Sequence, residues 1–291
     1  MVNFGDGCSA PKPDWLNRVA VIGVGLLGGS VGLSLRRCGV KVTGYSRRES
    51  TCKTAIECGA VDEGFTELSK ACEGCDVAVI CSPVDKIASL AAEASAALPD
   101  QALITDVGST KGLIVDEVNA LVPTVRAQFV AAHPIAGSEK TGVENAIADL
   151  FDDKCVILTP TDQTPPAQLD RAKQFWALTG GNITLMTPAE HDQRLAAVSH
   201  VPHLVSSLLA AFPDEPALPL VGSGWKDMTR VAAGDPAMWT AICDHNRGAI
   251  INQLDHFIDE LKSLKSLLAA EDSGALLRWL EHAKARKDST L

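Results

Sequence analysis

The residues best suited to chemistry in this chain fall in five short runs. Gly23, Gly25 and Gly28 space a glycine-rich turn directly after the apolar run Arg18–Ile22. Ser109 and Lys111 close the run 105–111 (TDVGSTK), and His133 opens the run 133–142 (HPIAGSEKTG). His191, His200 and His203 lie within thirteen residues, and Arg230 stands in 227–232 (DMTRVA), shortly before Trp239. A neutral imidazole such as that of His133 can draw a proton from a hydroxyl near pH 7. An arginine fork suits a carboxylate better than a lysine does. The Ser109 hydroxyl either bonds a substrate oxygen, orients His133, or caps the helix that follows it. Lys111 reads as a structural or solvated cation. The histidine spacing does not give the i, i+4 pair of a helical zinc site, and no metal is expected.

The glycines have separate tasks. Gly23 permits a tight turn, Gly25 lets backbone N–H groups approach a pyrophosphate, and Gly28 lets the next helix pack on its strand. With Leu26 and Leu27 they form a helix N-terminus that favours an anion, and Ser82 and Pro83, after the strand 76–81, are assigned to the same dinucleotide. An NAD site commonly carries an acid at the tip of its second strand. Here Val40–Tyr45 runs into Ser46, Arg47 and Arg48 instead. Ser46 can bond a 2′-phosphate and the arginines can pair with it, so NADP is favoured over NAD.

Strand-like runs at 18–24, 40–45, 76–81, 102–107, 128–132, 154–159 and 182–186 alternate with helical patterns. This is the order of a doubly wound α/β domain spanning 1–187. After Pro188 the strands stop, so 188–291 reads as a helical domain. Its stripe Ile242, Ile250, Leu254, Phe257, Ile258, Leu261 and Leu264 is long for one chain to cover, which favours a homodimer through the C-terminal helices. A formal charge of −10 argues against a nucleic-acid partner. No apolar run reaches the length of a membrane span. Nine cysteines without a secretory leader imply reduced thiols in a cytoplasm. Cys72 and Cys75 form a C-x-x-C read as a polar turn, and the first residues read as a loose tail.

Taken in order, the glycine loop and the four later runs closely resemble the prephenate and arogenate dehydrogenases of tyrosine biosynthesis, over about residues 18–265. The resemblance implies a nicotinamide-dependent oxidative decarboxylation. Hydride leaves the ring carbon bearing the hydroxyl, the ring carboxylate departs as CO₂, and the ring becomes aromatic. His133 would take the hydroxyl proton, with Ser109 beside it. Arg230 would hold a substrate carboxylate, and His200 and His203 would face the substrate across the cleft. His191 is expected to pack or cap near the domain junction, and Trp239 either walls the pocket or belongs to the core. Prephenate and arogenate remain alternative substrates. A catalytically silent NADP-binding sensor would not need His133, Ser109 and Arg230 together.

Overall fold

The computed structural model describes residues 8, 10–137 and 140–290. Six short strands form a parallel sheet: β1 (Arg18–Ile22), β2 (Lys41–Tyr45), β3 (Glu63–Phe65), β4 (Val77–Ile80), β5 (Leu103–Asp106) and β6 (Phe129–Val130). Their order is β3-β2-β1-β4-β5-β6, the doubly wound order in which a crevice opens where neighbouring connections leave in opposite directions, between β1 and β4. Both faces are covered, as continuous apolar strands require. Val19, Val21, Val77 and Val79 enter one buried cluster, and Ala20, Ile22, Ala78 and Ile80 enter the other. Each buried Val or Ile contributes about 1.5–3 kcal/mol, so the sheet is a stiff base for the loops at its carboxyl ends.

The sequence reading of one continuous sheet needs correction after β6. The expected strand 128–132 is two pieces, because the ladder of β5 with β6 ends at Thr105↔Val130. The chain then leaves the sheet and begins β7 (Ala132–Pro134), which pairs antiparallel with β8 (Cys155–Leu158). β8 pairs in parallel with β9 (Asn182–Leu185), so the last two expected strands belong to a separate three-stranded sheet. β3 escaped the sequence reading because it is three residues long and contains Gly64. A Cβ at Gly64 would lie 2.8 Å from Cys52.

Helices follow β9, beginning with Pro188–Leu195. The doubly wound domain followed by helices is the architecture that the sequence implied. Backbone contacts group residues up to Asn246 into one compact unit and Arg247–Leu291 into a second. The second consists of helices Arg247–Ala269 and Ser273–Asp288. Of the expected apolar stripe, Ile242 and Ile250 are buried, whereas Phe257, Ile258 and Leu261 are 37–49% exposed. Among the described residues no helix is long and apolar enough to cross a membrane.

The expectation that every thiol is reduced also fails. Cys38 ends the helix Leu26–Arg37, and the chain before β1 returns to it, pairing Cys8 with Cys38 in a disulfide. Among the described residues, Cys52, Cys58, Cys72, Cys75, Cys81 and Cys155 remain outside any disulfide. Cys72 and Cys75 are both buried, and burial pushes Cys72 up to about 12, so it stays a thiol. Ser138 and Glu139 of the His133 run, and most of the N-terminal tail, lie outside the described residues.

Candidate active site

The carboxyl end of β1 supplies the first part of the site. Gly23 has φ +101°, and a Cβ there would lie 2.5 Å from the Cys81 carbonyl oxygen. At Gly28 a Cβ would lie 2.1 Å from the Gly23 carbonyl oxygen, so the turn and the first turn of helix Leu26–Arg37 close on one another only without side chains. Gly25 is different: a Cβ would meet nothing within 4 Å. The helix starts at Leu26 with no side-chain cap on its N-terminus. Open space before uncapped N–H groups is what an incoming pyrophosphate requires, so these residues fit the phosphates of a dinucleotide. Ser82, after β4, closes the floor of the turn by donating from its hydroxyl to the Ile22 carbonyl at 3.3 Å, and Pro83 is exposed beside it. At the tip of β2, Ser46 is half-buried and its Oγ accepts from the Arg48 N–H at 3.3 Å. Arg47 and Arg48 are exposed.

His133 lies on β7, and its ring sits in a connected set of buried groups. Its Nδ1 is 2.9 Å from His191 Nε2, and His191 Nδ1 is 2.8 Å from Asp192 Oδ1. Asp192 also accepts from the backbone N–H groups of Lys111 and Gly112, each at 2.8 Å. Burial opposes the charge on Asp192, but these three hydrogen bonds outweigh it and hold the carboxyl below its ordinary value. The tautomers follow in order. Ionised Asp192 can only accept, so His191 Nδ1 carries hydrogen and its Nε2 accepts. His133 Nδ1 must then donate, which leaves Nε2 as its unprotonated nitrogen. Burial, followed by the neighbouring charges of His191, Lys111 and His200, holds His133 well below the ordinary histidine value. It is therefore a neutral base near pH 7.

The Asp192 contact removes one reading of Ser109. The helix Gly112–Asn119 is capped by Asp192 from eighty residues away, not by Ser109, which stands half-buried three residues before the helix. A Cβ at Gly112 would lie 2.8 Å from Asp192 Oδ2, so glycine is what admits the carboxylate. His191 is correspondingly a partner of His133 rather than a packing or capping residue, because the chain turns it onto β7. Lys111 is structural and not solvated: it is fully buried against Asp106.

Nine residues apart on a regular α-helix, His191 and His200 would point about 180° from each other. The segment Ala196–His200 is instead a π-turn, in which the Val201 N–H donates to the Ala196 carbonyl five residues back. The extra residue per turn rephases the helix, and both histidines are buried. Asn246 joins them, donating to the Asp192 carbonyl at 2.8 Å and to His200 Nδ1 at 3.1 Å. Burial lowers His200 to about 4, opposed by Asp192, and the backbone of Ser109 faces the same ring. Its Nε2 is buried without a well-formed hydrogen bond among the described residues. His203 Nδ1 is in the same condition. His203 stacks on Trp239, with centroids 3.5 Å apart and planes 9° apart. Trp239 also packs against one of the two buried clusters, so it joins the core to His203. Arg230 is exposed, at the start of the turn Arg230–Ala233, which packs on the helix carrying His203. The structure thus brings Ser109, His133 and His200 together around His191, Asp192 and Asn246, with Arg230 outside that buried set. No spacing in the sequence marks the roles of Asp192 or Asn246, since apart from the adjacent His191 their partners lie 46–81 residues away.

Residues 31–185 match the family description "Prephenate dehydrogenase, nucleotide-binding domain", and 187–282 match "Prephenate dehydrogenase, dimerization domain". The chain belongs to the prephenate dehydrogenase family. A Bacillus subtilis prephenate dehydrogenase is 32% identical over 93% of this chain and 75% of its own length. Prephenate dehydrogenase from A. aeolicus, solved with hydroxyphenyl propionate and NAD+, superposes with a TM-score of 0.88 at 34% identity, covering 95% of this chain and 99% of that one. Synechocystis arogenate dehydrogenase superposes at 0.80 with 31% identity, covering 94% and 100%. Membership in the prephenate dehydrogenase family makes the chain one of the nicotinamide-dependent oxidoreductases.

Proposed function

We propose that this chain oxidises prephenate to 4-hydroxyphenylpyruvate and CO₂, with NADP as its preferred acceptor and NAD as the weaker one. The observation that carries the reading is the chain of hydrogen bonds from Asp192 through His191 to His133, which presents an unprotonated Nε2 on a neutral ring. The Gly23–Gly28 turn would hold the pyrophosphate of the dinucleotide, whose nicotinamide would supply the hydride acceptor. His133 takes the proton of the ring hydroxyl, and the positive charge that forms on it is shared with His191 and balanced by Asp192. Ser109, beside the same crevice, bonds the same substrate oxygen. His200 and His203, both neutral near pH 7, donate hydrogen bonds from across the cleft, and Arg230 pairs with a substrate carboxylate. Ser46, Arg47 and Arg48 hold the 2′-phosphate, while Leu26, Leu27, Ser82 and Pro83 line the rest of the cofactor path.

Residues 1–187 then serve the cofactor, and 188–291 serve the substrate and a homodimer contact. The exposed Phe257, Ile258 and Leu261 support that contact, because a face this apolar is covered in solution by a second copy. Outside the Cys8–Cys38 bridge, Cys52, Cys58, Cys72, Cys75, Cys81 and Cys155 stay out of disulfides, which supports a cytoplasmic setting. Arogenate is the second reading, favoured by the likeness to the Synechocystis arogenate dehydrogenase along nearly the whole chain.

The test is kcat/KM for prephenate and for arogenate, each with NADP and NAD, followed by the absorbance of the reduced nicotinamide. Prephenate with NADP should give the highest value. No turnover of either substrate with either cofactor removes the reading.

A further inference from the structure

We infer that the buried Asp106–Lys111 ion pair is a positioning device that fixes the backbone carrying His133 and Ser109. The inference rests on the reading of His133 as the base. Both side chains are 0% exposed. Two charges taken out of water stabilise a fold poorly, and apolar replacements are often as stable or more so. The pair is therefore better explained by what it holds in place.

What it holds is the junction between the two sheets. The β5–β6 ladder stops at Val130, and His133 is already on β7. Ala132, between them, has both of its peptide groups bound by this pair. Its N–H donates to Asp106 Oδ1 at 2.9 Å, and its carbonyl accepts from Lys111 Nζ at 2.7 Å. Asp106 Oδ2 accepts from Lys111 Nζ and, at 2.8 Å, from the N–H of Gly108, the residue before Ser109. One pair of side chains thus ties the strand of the base to the turn of the hydroxyl. The pair also acts through charge. His133 is faced by Lys111, His191 and His200, with Asp192 behind His191 and Asp106 behind Lys111. Burial lowers Lys111, opposed by Asp106 and Asp192, and its charge, held beside Asp106, disfavours a second positive charge on His133 and supports the neutral form.

The decisive variant is the double Asp106→Asn/Lys111→Met, which removes both charges and keeps the shape. Asp106→Asn alone, which still offers an acceptor to the Ala132 N–H, is the milder second variant should the double one fail to fold. Folding is checked by circular dichroism and by cofactor affinity, which should stay within about threefold of the parent. The expected result is a fall in kcat of about 10²-fold, the effect of a displacement of roughly 1 Å. The acid limb of kcat/KM should also move to higher pH as His133 loses its cationic neighbour. A kcat within threefold of the parent overturns the inference. So does, in the double variant, a lower kcat with an unmoved acid limb, which is what general loosening of the fold would produce; Asp106→Asn, which keeps Lys111, is read on kcat against an unchanged cofactor affinity. His133→Asn is measured alongside. If that variant keeps its activity, the base assignment has failed. If it is inactive while the pair variants match the parent, only the inference about the pair has failed.

Discussion

The cofactor end and the histidine end of this crevice are built in opposite ways. At the tip of β2, Arg47 and Arg48 are exposed, and the N-terminus of helix Leu26–Arg37 has no side-chain cap. At β7, His133, His191, Asp192, His200 and Asn246 are joined by hydrogen bonds of 2.8–3.1 Å, and all but His133 are nearly inaccessible. A phosphate arrives with its own charge and needs open donors, so unsatisfied groups are left facing water, where they cost little. A proton transfer needs one tautomer in one place, and only a closed set of partners fixes that. Affinity should therefore be tunable at one end without touching turnover, and turnover should depend on groups that never meet the substrate at the other.

His133→Asn is the severest test of this contrast. It should retain cofactor affinity and lower kcat by about 10²–10⁴-fold, the usual contribution of a positioned base; a loss under fivefold in a folded variant would remove the assignment. His191→Leu leaves the substrate contacts alone but takes away the acceptor that sets the tautomer. Its kcat should fall by about 10²-fold in steady-state assays, with little change in cofactor Kd. Arg47→Ala should act in the other direction, weakening NADP by one to two decades, or about 1.5–3 kcal/mol, while sparing NAD in direct titrations. Equal losses for both cofactors would show that Arg47 is plain surface. Arg230→Lys keeps the charge and loses the fork, so KM for the substrate should rise about tenfold with cofactor affinity unchanged. The gentlest probe is pH. His133 is held below its ordinary value, so the acid limb of kcat/KM should lie below about pH 6.5. Stability should follow the same sign. With His200 lowered to about 4, the unfolded chain binds its proton first, and Tm should drop as pH falls from about 6.5 towards 4. A flat Tm over that window would contradict the buried, neutral His200.

The cofactor end was legible in the sequence because its determinants are local. Three glycines, a strand before them and a helix after them sit within about twenty residues, and the missing acid after Tyr45 can be read directly. His133 was found by its run of neighbours, yet its partners were not. Asp192 reaches Lys111 and Gly112 across eighty residues of chain, and His191 and His200 share a buried side only because a π-turn alters the helix phase. Spacing rules assume regular helices, so they set these two histidines apart. The second sheet was missed for a related reason: apolar content marks a strand but does not say which sheet it joins. The switch at Ala132 is written in two buried charges, not in a turn motif.

Asp192 gives the molecule an unusual mutational economy. The same carboxylate begins one helix and, through His191, selects the tautomer of His133, the proposed base, through a gap that Gly112 leaves open. Enzymes often become sturdier when a site residue is replaced, because sites are strained for the sake of chemistry. Here that exchange is closed off. On the proposed reading, a substitution at Asp192 or Gly112 is expected to loosen the helix and the orientation of His133 together, so stability and turnover should fall in the same variant.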